Sequence, residues 1–159
     1  MRKYSIAVVI IICIMFFASC DSDYKTSDEK IWNMGEQIYE GYKTKDADKV
    51  IEVLSENLKD NSYTKKRIEK SFECIEGDIE EYEEIRGSAG CGKIRDGEEV
   101  LNGGDASIMH IKTDLDKKYE IYYKVNLIDK EDEDNVGVTY IAIRNDETKE
   151  ALYEIGRSD

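Results

Sequence analysis

The spacing of apolar residues changes near Ile79, and that change constrains the fold more than any other feature of the chain. Before it, Ile31, Met34, Ile38 and Tyr42 recur at helical intervals and predict a helix over residues 27–43. Thr26, with Glu29 three places on, has the form of a capping box for that helix. Trp32 and Tyr39 flank the stripe and are expected in the core. Asp46 is suited to cap a second helix that turns Ala47, Val50, Ile51 and Leu54 inward. After a loop over 57–62, Ile68, Phe72 and Ile75 mark a third helix over 64–74. Gly77 suits the left-handed position that ends it.

Beyond Ile79 the period is two. Residues 79–86 read as a charged edge strand with Tyr82 and Ile85 as its apolar contacts. The glycine-rich stretch 87–104 reads as a long connection, followed by a second strand over 106–113 and a tight turn at 114–117. In a third strand over 119–128, Tyr119, Ile121, Tyr123, Val125 and Leu127 share one face, while Glu120, Tyr122, Lys124 and Asn126 share the other. A turn over 129–135 leads to a fourth strand over 136–144, and 151–155 adds a short strand or a last turn of helix. Helices first and a meandering sheet second describe an α+β domain: N-terminal helices packed on a curved antiparallel sheet of about four strands.

The first twenty residues have a separate purpose. Arg2 and Lys3 precede thirteen unbroken apolar residues, Ile6 to Ala18, and the chain turns polar at Asp21. Such a run rises only about 20 Å as a helix, short of the hydrocarbon layer, and fits a secretory signal peptide rather than a spanning helix. Phe17-Ala18-Ser19-Cys20 resembles the lipobox of bacterial lipoproteins, in which the cysteine is acylated and becomes the mature N-terminus. The expected organisation is a signal peptide over 1–19, a tether over 20–26 and a single α+β domain over 27–159. Lipidation at Cys20 would hold the protein on the outer face of the bacterial cell membrane, since two or more acyl chains anchor stably.

Charge narrows the partners. Residues 1–19 hold two of the 23 basic residues and none of the 36 acidic ones, so residues 20–159 carry 21 positive against 36 negative charges, a net −15. That balance repels nucleic acid and excludes it as a partner. Eleven tyrosines and many Ile and Val residues still supply a core. Cys74 and Cys91 would be exported to a compartment where disulfides form, and a bridge would close a loop of about 18 residues. Two buried free thiols are nevertheless the expected outcome, with the bridge as the alternative, because the helix and strand that carry them run apart.

The element order resembles the cystatin-like cone of the nuclear transport factor 2-like superfamily, without that fold's early hairpin. Within it, the chain is similar to a family of mostly Gram-positive lipoproteins of unknown function. The matching pieces are Leu54-Ser55, Ile68 with Phe72, and Glu76-Gly77-Asp78-Ile79. They continue with His110-Ile111-Lys112-Thr113-Asp114, Tyr119-Glu120-Ile121-Tyr122-Tyr123 and Asn135-Val136-Gly137-Val138. The resemblance implies the fold and the location, and it assigns no catalytic residue.

The candidate binding residues follow from that cone. Tyr119, Tyr123 and Tyr140 would line its concave surface, with hydroxyls to orient a ligand, or would simply pack there. His110, the single histidine, exchanges protons near neutral pH and could be the base of an isomerase or dehydratase, but with no partner carboxylate fixed by a motif a satisfied or solvent-facing histidine is expected. The acidic run from Asp129 to Asp134 offers oxygen ligands, but the EF-hand template fails on it, and a solvated turn with no metal is expected. Gly87 to Gly92 lacks the lysine and spacing of a phosphate cradle. No cofactor is expected. The function that follows is a tethered, non-catalytic domain binding a small ligand or a protein. The alternatives are an enzyme using the cone cavity and a structural module that forms a homodimer.

Overall fold

A computed structural model describes residues 26–59, 63–90 and 92–156. The expected signal peptide over 1–19, Cys20, most of the expected tether and Cys91 lie outside the described residues.

The helical layer comes first. Helix α1 covers residues 26–44, α2 Ala47–Glu52, α3 Glu56–Lys59 and α4 Thr64–Phe72. Ile31, Ile38 and Tyr42 of α1 are buried as their spacing requires, with Met34 packed against them. Thr26 is itself helical and so is not the cap. Asp28 accepts a hydrogen bond from Ala89 N at 2.7 Å instead, which ties the first turn of α1 to the sheet. Trp32 is exposed rather than in the core, because its indole N–H reaches out to Gly87 O at 3.2 Å. Asp46 caps α2 as expected, accepting from Asp48 N and Lys49 N at 3.1 and 3.4 Å. Within the expected loop at 57–62, residues 56–59 close one helical turn on Ser55 O instead.

The sheet has seven strands rather than about four. They are β1 Ile79–Glu81, β2 Glu84–Ala89, β3 Lys93–Arg95, β4 Glu98–Thr113, β5 Lys118–Asp129, β6 Gly137–Asn145 and β7 Ala151–Gly156. All pairings are antiparallel, in the order β1-β4-β5-β6-β7, with β2 and β3 also paired to β4. Two of the three extra strands come from β4, whose sixteen residues give room for β1, β2 and β3 along one edge, and the third is β7 beside β6. Glycines at 87, 103 and 104 let those backbones approach closely, since an added Cβ at any of them would strike a facing strand. The stretch 87–104 is therefore mostly sheet and not a connection.

One side of this sheet packs on the helices. Ile108, Ile111, Ile121, Tyr123, Val125, Ile141, Ile143 and Ile155 meet Ile31, Ile38, Tyr42, Val50 and Ile68 in a single core. The chain after α2 is stitched to β6 by Ser55 N to Val138 O at 3.0 Å and Val138 N to Val53 O at 2.8 Å. Gly77 ends the helical half with φ +89. An added Cβ there would press on Asp114 and Leu115, so its lack of a side chain is required twice.

Candidate functional site: the polar face of the sheet

Cross-strand partners point to the same side of a sheet, so register assigns the faces. Tyr123 pairs with Ala106 and Ile141, and Ile121 pairs with Ile108 and Ile143; these positions face the helices. Tyr122 pairs with Ser107 and Ala142, Lys124 with Asp105 and Tyr140, and Glu120 with Arg144. This second set lies on the side away from the helices. Tyr119, Tyr123 and Tyr140 therefore do not share a concave surface: the first two face the helices, and Tyr140 is on the opposite side.

The helix side is filled. Tyr123 is fully buried and donates to Ile31 O at 2.9 Å, and the Tyr119 hydroxyl accepts from Glu76 N at 3.0 Å. Burial raises the Tyr123 phenol well above its ordinary value, which keeps it a donor. Both side chains act as packing residues with satisfied hydroxyls.

The other side carries a connected polar network. Glu120 is only 5 % exposed, yet it is ionised. Burial by itself would raise its carboxyl, but Ser107 Oγ donates to it at 2.5 Å and Lys149 Nζ at 2.9 Å, with Arg144 at 3.6 Å. Together these hold it below the usual range. Asp146, 8 % exposed, is lowered in the same way against burial, by Lys149 Nζ at 2.9 Å and His110 Nδ1 at 2.7 Å. Lys149 is raised in return by Asp146 and Glu120. The Arg144 guanidinium stacks 4.2 Å over the Tyr122 ring, and Tyr122 donates to Asp105 at 2.7 Å. Tyr140 meets the Tyr122 ring edge-on and donates to Glu154. Burial, with Asp105 or Glu154 as acceptor, pushes both phenols up to about 12.

His110 belongs to this network and not to a cavity on the helix side. It stands in a bulge between Ile108 and Ile111 with φ +53, a left-handed backbone that a β-strand residue rarely takes. Asp146 fixes Nδ1 as the donor, and Nε2 faces outward, 3.8 Å from Glu83. Among the described residues, no group of three or more His, Cys, Asp or Glu side chains gathers as a metal site. The acidic turn holds itself instead. Asp129 accepts from Glu131 N, Asp132 N and the Asn135 amide, while Lys93 and Arg95 both reach Glu131.

Cys74 is a half-buried free thiol, raised by burial and by Glu73. It lines a cleft of about 800 Å³ with Tyr119 and Lys118, at the Thr113 end of β4. Gly90 and Gly92, which flank Cys91, sit beside Gly103 and Leu101 near the opposite end of that strand. A second cleft of about 870 Å³ lies near that opposite end, lined by Ser55, Arg67, Lys124, Asn126 and Asp132 among others.

Sequence reasoning did not find Ser107, Arg144, Asp146 or Lys149. The one available signal was the polar alternation of Glu120, Tyr122 and Lys124 along β5, which marked a second face without showing what would meet it. No described helix is long and apolar enough to cross a membrane. A family model described as Domain of unknown function (DUF5104) matches residues 37–150. No curated protein matches the sequence.

Proposed function

The chain belongs to the DUF5104 family, and on that premise we propose a lipid-tethered, extracytoplasmic interaction domain that works through the polar face of its sheet. Cys20 carries the acyl chains, residues 21–25 form the tether, and the domain binds a protein or small ligand outside the cell. The cystatin-like cone belongs to the same proposal, with α1 lying along the sheet as its supporting feature.

The observation that carries the reading is the contrast between the two sides of the sheet. The middle of the helix side is filled by Tyr123 and its isoleucine neighbours, which leaves no cavity inside the core there. The opposite side presents a stacked Arg144–Tyr122 pair, Lys124 over the Tyr140 ring and an outward His110 nitrogen, with Arg144 beside the buried Glu120 and His110 held by the buried Asp146. Aromatic and arginine side chains fixed in this way suit recognition, because little conformational entropy remains to be lost on binding. The isomerase or dehydratase reading needs His110, or a carboxyl raised in pKa, beside a tyrosine hydroxyl inside the fold. His110 lies on the other side from Tyr119 and Tyr123, and both buried carboxyls are lowered rather than raised.

Two variants test the proposal in an envelope preparation. Cys20→Ala is expected to release the protein from the membrane fraction. Arg144→Glu is expected to abolish retention of the bound partner, while Lys66→Glu on exposed α4 leaves it intact. Equal retention by the two charge reversals would contradict the assignment of the face.

A further inference from the structure

Resting on the tether reading above, we infer that the β3–β4 hairpin touches the lipid surface, with Ile94 at headgroup level and the domain standing upright on that end. The first turn of α1 is held at Ala89, which pairs with Gly104 of β4. Trp32 then reaches Gly87, opposite Ala106, and Tyr39 and Lys43 reach Glu80, beside the Lys112–Thr113 end. Helix α1 therefore runs along β4 from Gly104 towards Thr113, so its N-terminal end at Thr26 points towards Glu98.

Six peptide units separate Cys20 from Thr26, so the acylated residue stays within about 20 Å of the first turn of α1 whatever path the chain takes. From Gly104 back to Glu98 is also six residues, about 20 Å of strand, with the Asp96–Gly97 turn beyond it. The tether is thus no longer than the part of the domain that projects past its attachment point. An upright domain cannot keep the hairpin tip clear of the bilayer.

The tip has the chemistry for shallow contact. Ile94 is 70 % exposed between Lys93 and Arg95, and Leu101 is exposed behind it. An exposed isoleucine there loses apolar hydration when it meets the interface. Both flanking cations are held by Glu131, and the acidic turn from Asp129 to Asp134 is tied to the same end. Repulsion between that turn and lipid phosphates limits the contact to headgroup depth.

The test uses the full-length acylated protein in phosphatidylcholine vesicles, in a Cys74→Ser, Cys91→Ser background. An environment-sensitive fluorophore is attached at Ile94→Cys or, for comparison, at Leu115→Cys, which is 57 % exposed at the opposite end. The expected result is a blue shift at position 94, with quenching by a headgroup-located quencher, and an unchanged aqueous spectrum at position 115. Aqueous spectra at both positions, or a shift at 115, would overturn the inference. The mass of the N-terminal peptide is measured on the same sample. An acylated peptide with an aqueous label at 94 overturns the orientation alone, whereas an unacylated peptide overturns the tether and the orientation together.

Discussion

At the scale of single residues, the closed side of the sheet depends on the fit between Tyr123 and Gly35. A Cβ at Gly35 would fall on the Tyr123 hydroxyl and crowd the ring carbon that bears it. Glycine to alanine in a helix ordinarily stabilises by up to about 1 kcal/mol. Here Gly35→Ala is expected to destabilise, by about 1–3 kcal/mol, because a rigid buried ring must shift. Tyr123→Phe is expected to cost about 1 kcal/mol for the lost bond to Ile31 O. Added to Tyr123→Phe, Gly35→Ala should cost clearly less than in the parent, a non-additivity that chemical denaturation of all four proteins measures.

Glu120 and Asp146 give the pH dependence at the same scale. Both carboxyls are lowered in the folded protein, so the unfolded chain binds their protons more tightly. Their stabilisation is complete above the ordinary values of about 4.3 for Glu and 3.9 for Asp, and is lost as pH falls through the lowered folded-state values. Glu120→Gln is expected to lower stability at pH 7 by about 2 kcal/mol, since Lys149 and Arg144 lose a buried partner. It should also flatten the loss of stability on acidification. A denaturation series from neutral pH to about pH 3 spans the relevant window.

At the scale of elements, what could be read from sequence depended on whether the cause was local. The α2 cap was legible because Asp46 and the amides it binds lie within three residues, and Asp46→Ala should cost about 1 kcal/mol by thermal denaturation. The helical stripe of α1 and the faces of β5 were legible for the same reason. Residues 84–86 of β2 were legible within the expected edge strand over 79–86, but its continuation to Ala89 and all of β3 were not, because each is stabilised only by a distant partner in β4. The side occupied by Tyr140 was misread through a bulge. Val138 pairs with Val125 on the helix side, Thr139 takes the irregular position, and Tyr140 emerges on the opposite side although only two residues separate it from Val138. The bulge at His110 hid that residue in the same way. His110→Val is expected to cost about 1–2 kcal/mol more than His110→Asn, because both remove the Asp146 contact but only asparagine tolerates the left-handed backbone.

At the scale of the whole molecule, net charge and the layout of the faces point the same way. With a net −15 over residues 20–159, the domain is repelled by polyanions. The polar face still concentrates cations, because Lys124, Arg144, Lys149 and His110 gather there among Glu83, Asp105, Glu120, Asp146 and Glu154. If the hairpin end rests on lipid, this face stands upright beside the membrane and is open to a partner. In-cell photo-crosslinking tests that claim most directly, with the photoreactive residue at Tyr122 on the polar face or at Lys66 on α4. The account predicts a discrete adduct from position 122 that disappears with Arg144→Glu, and none from position 66. Adducts of equal yield from both positions, or one from 66 alone, would contradict it.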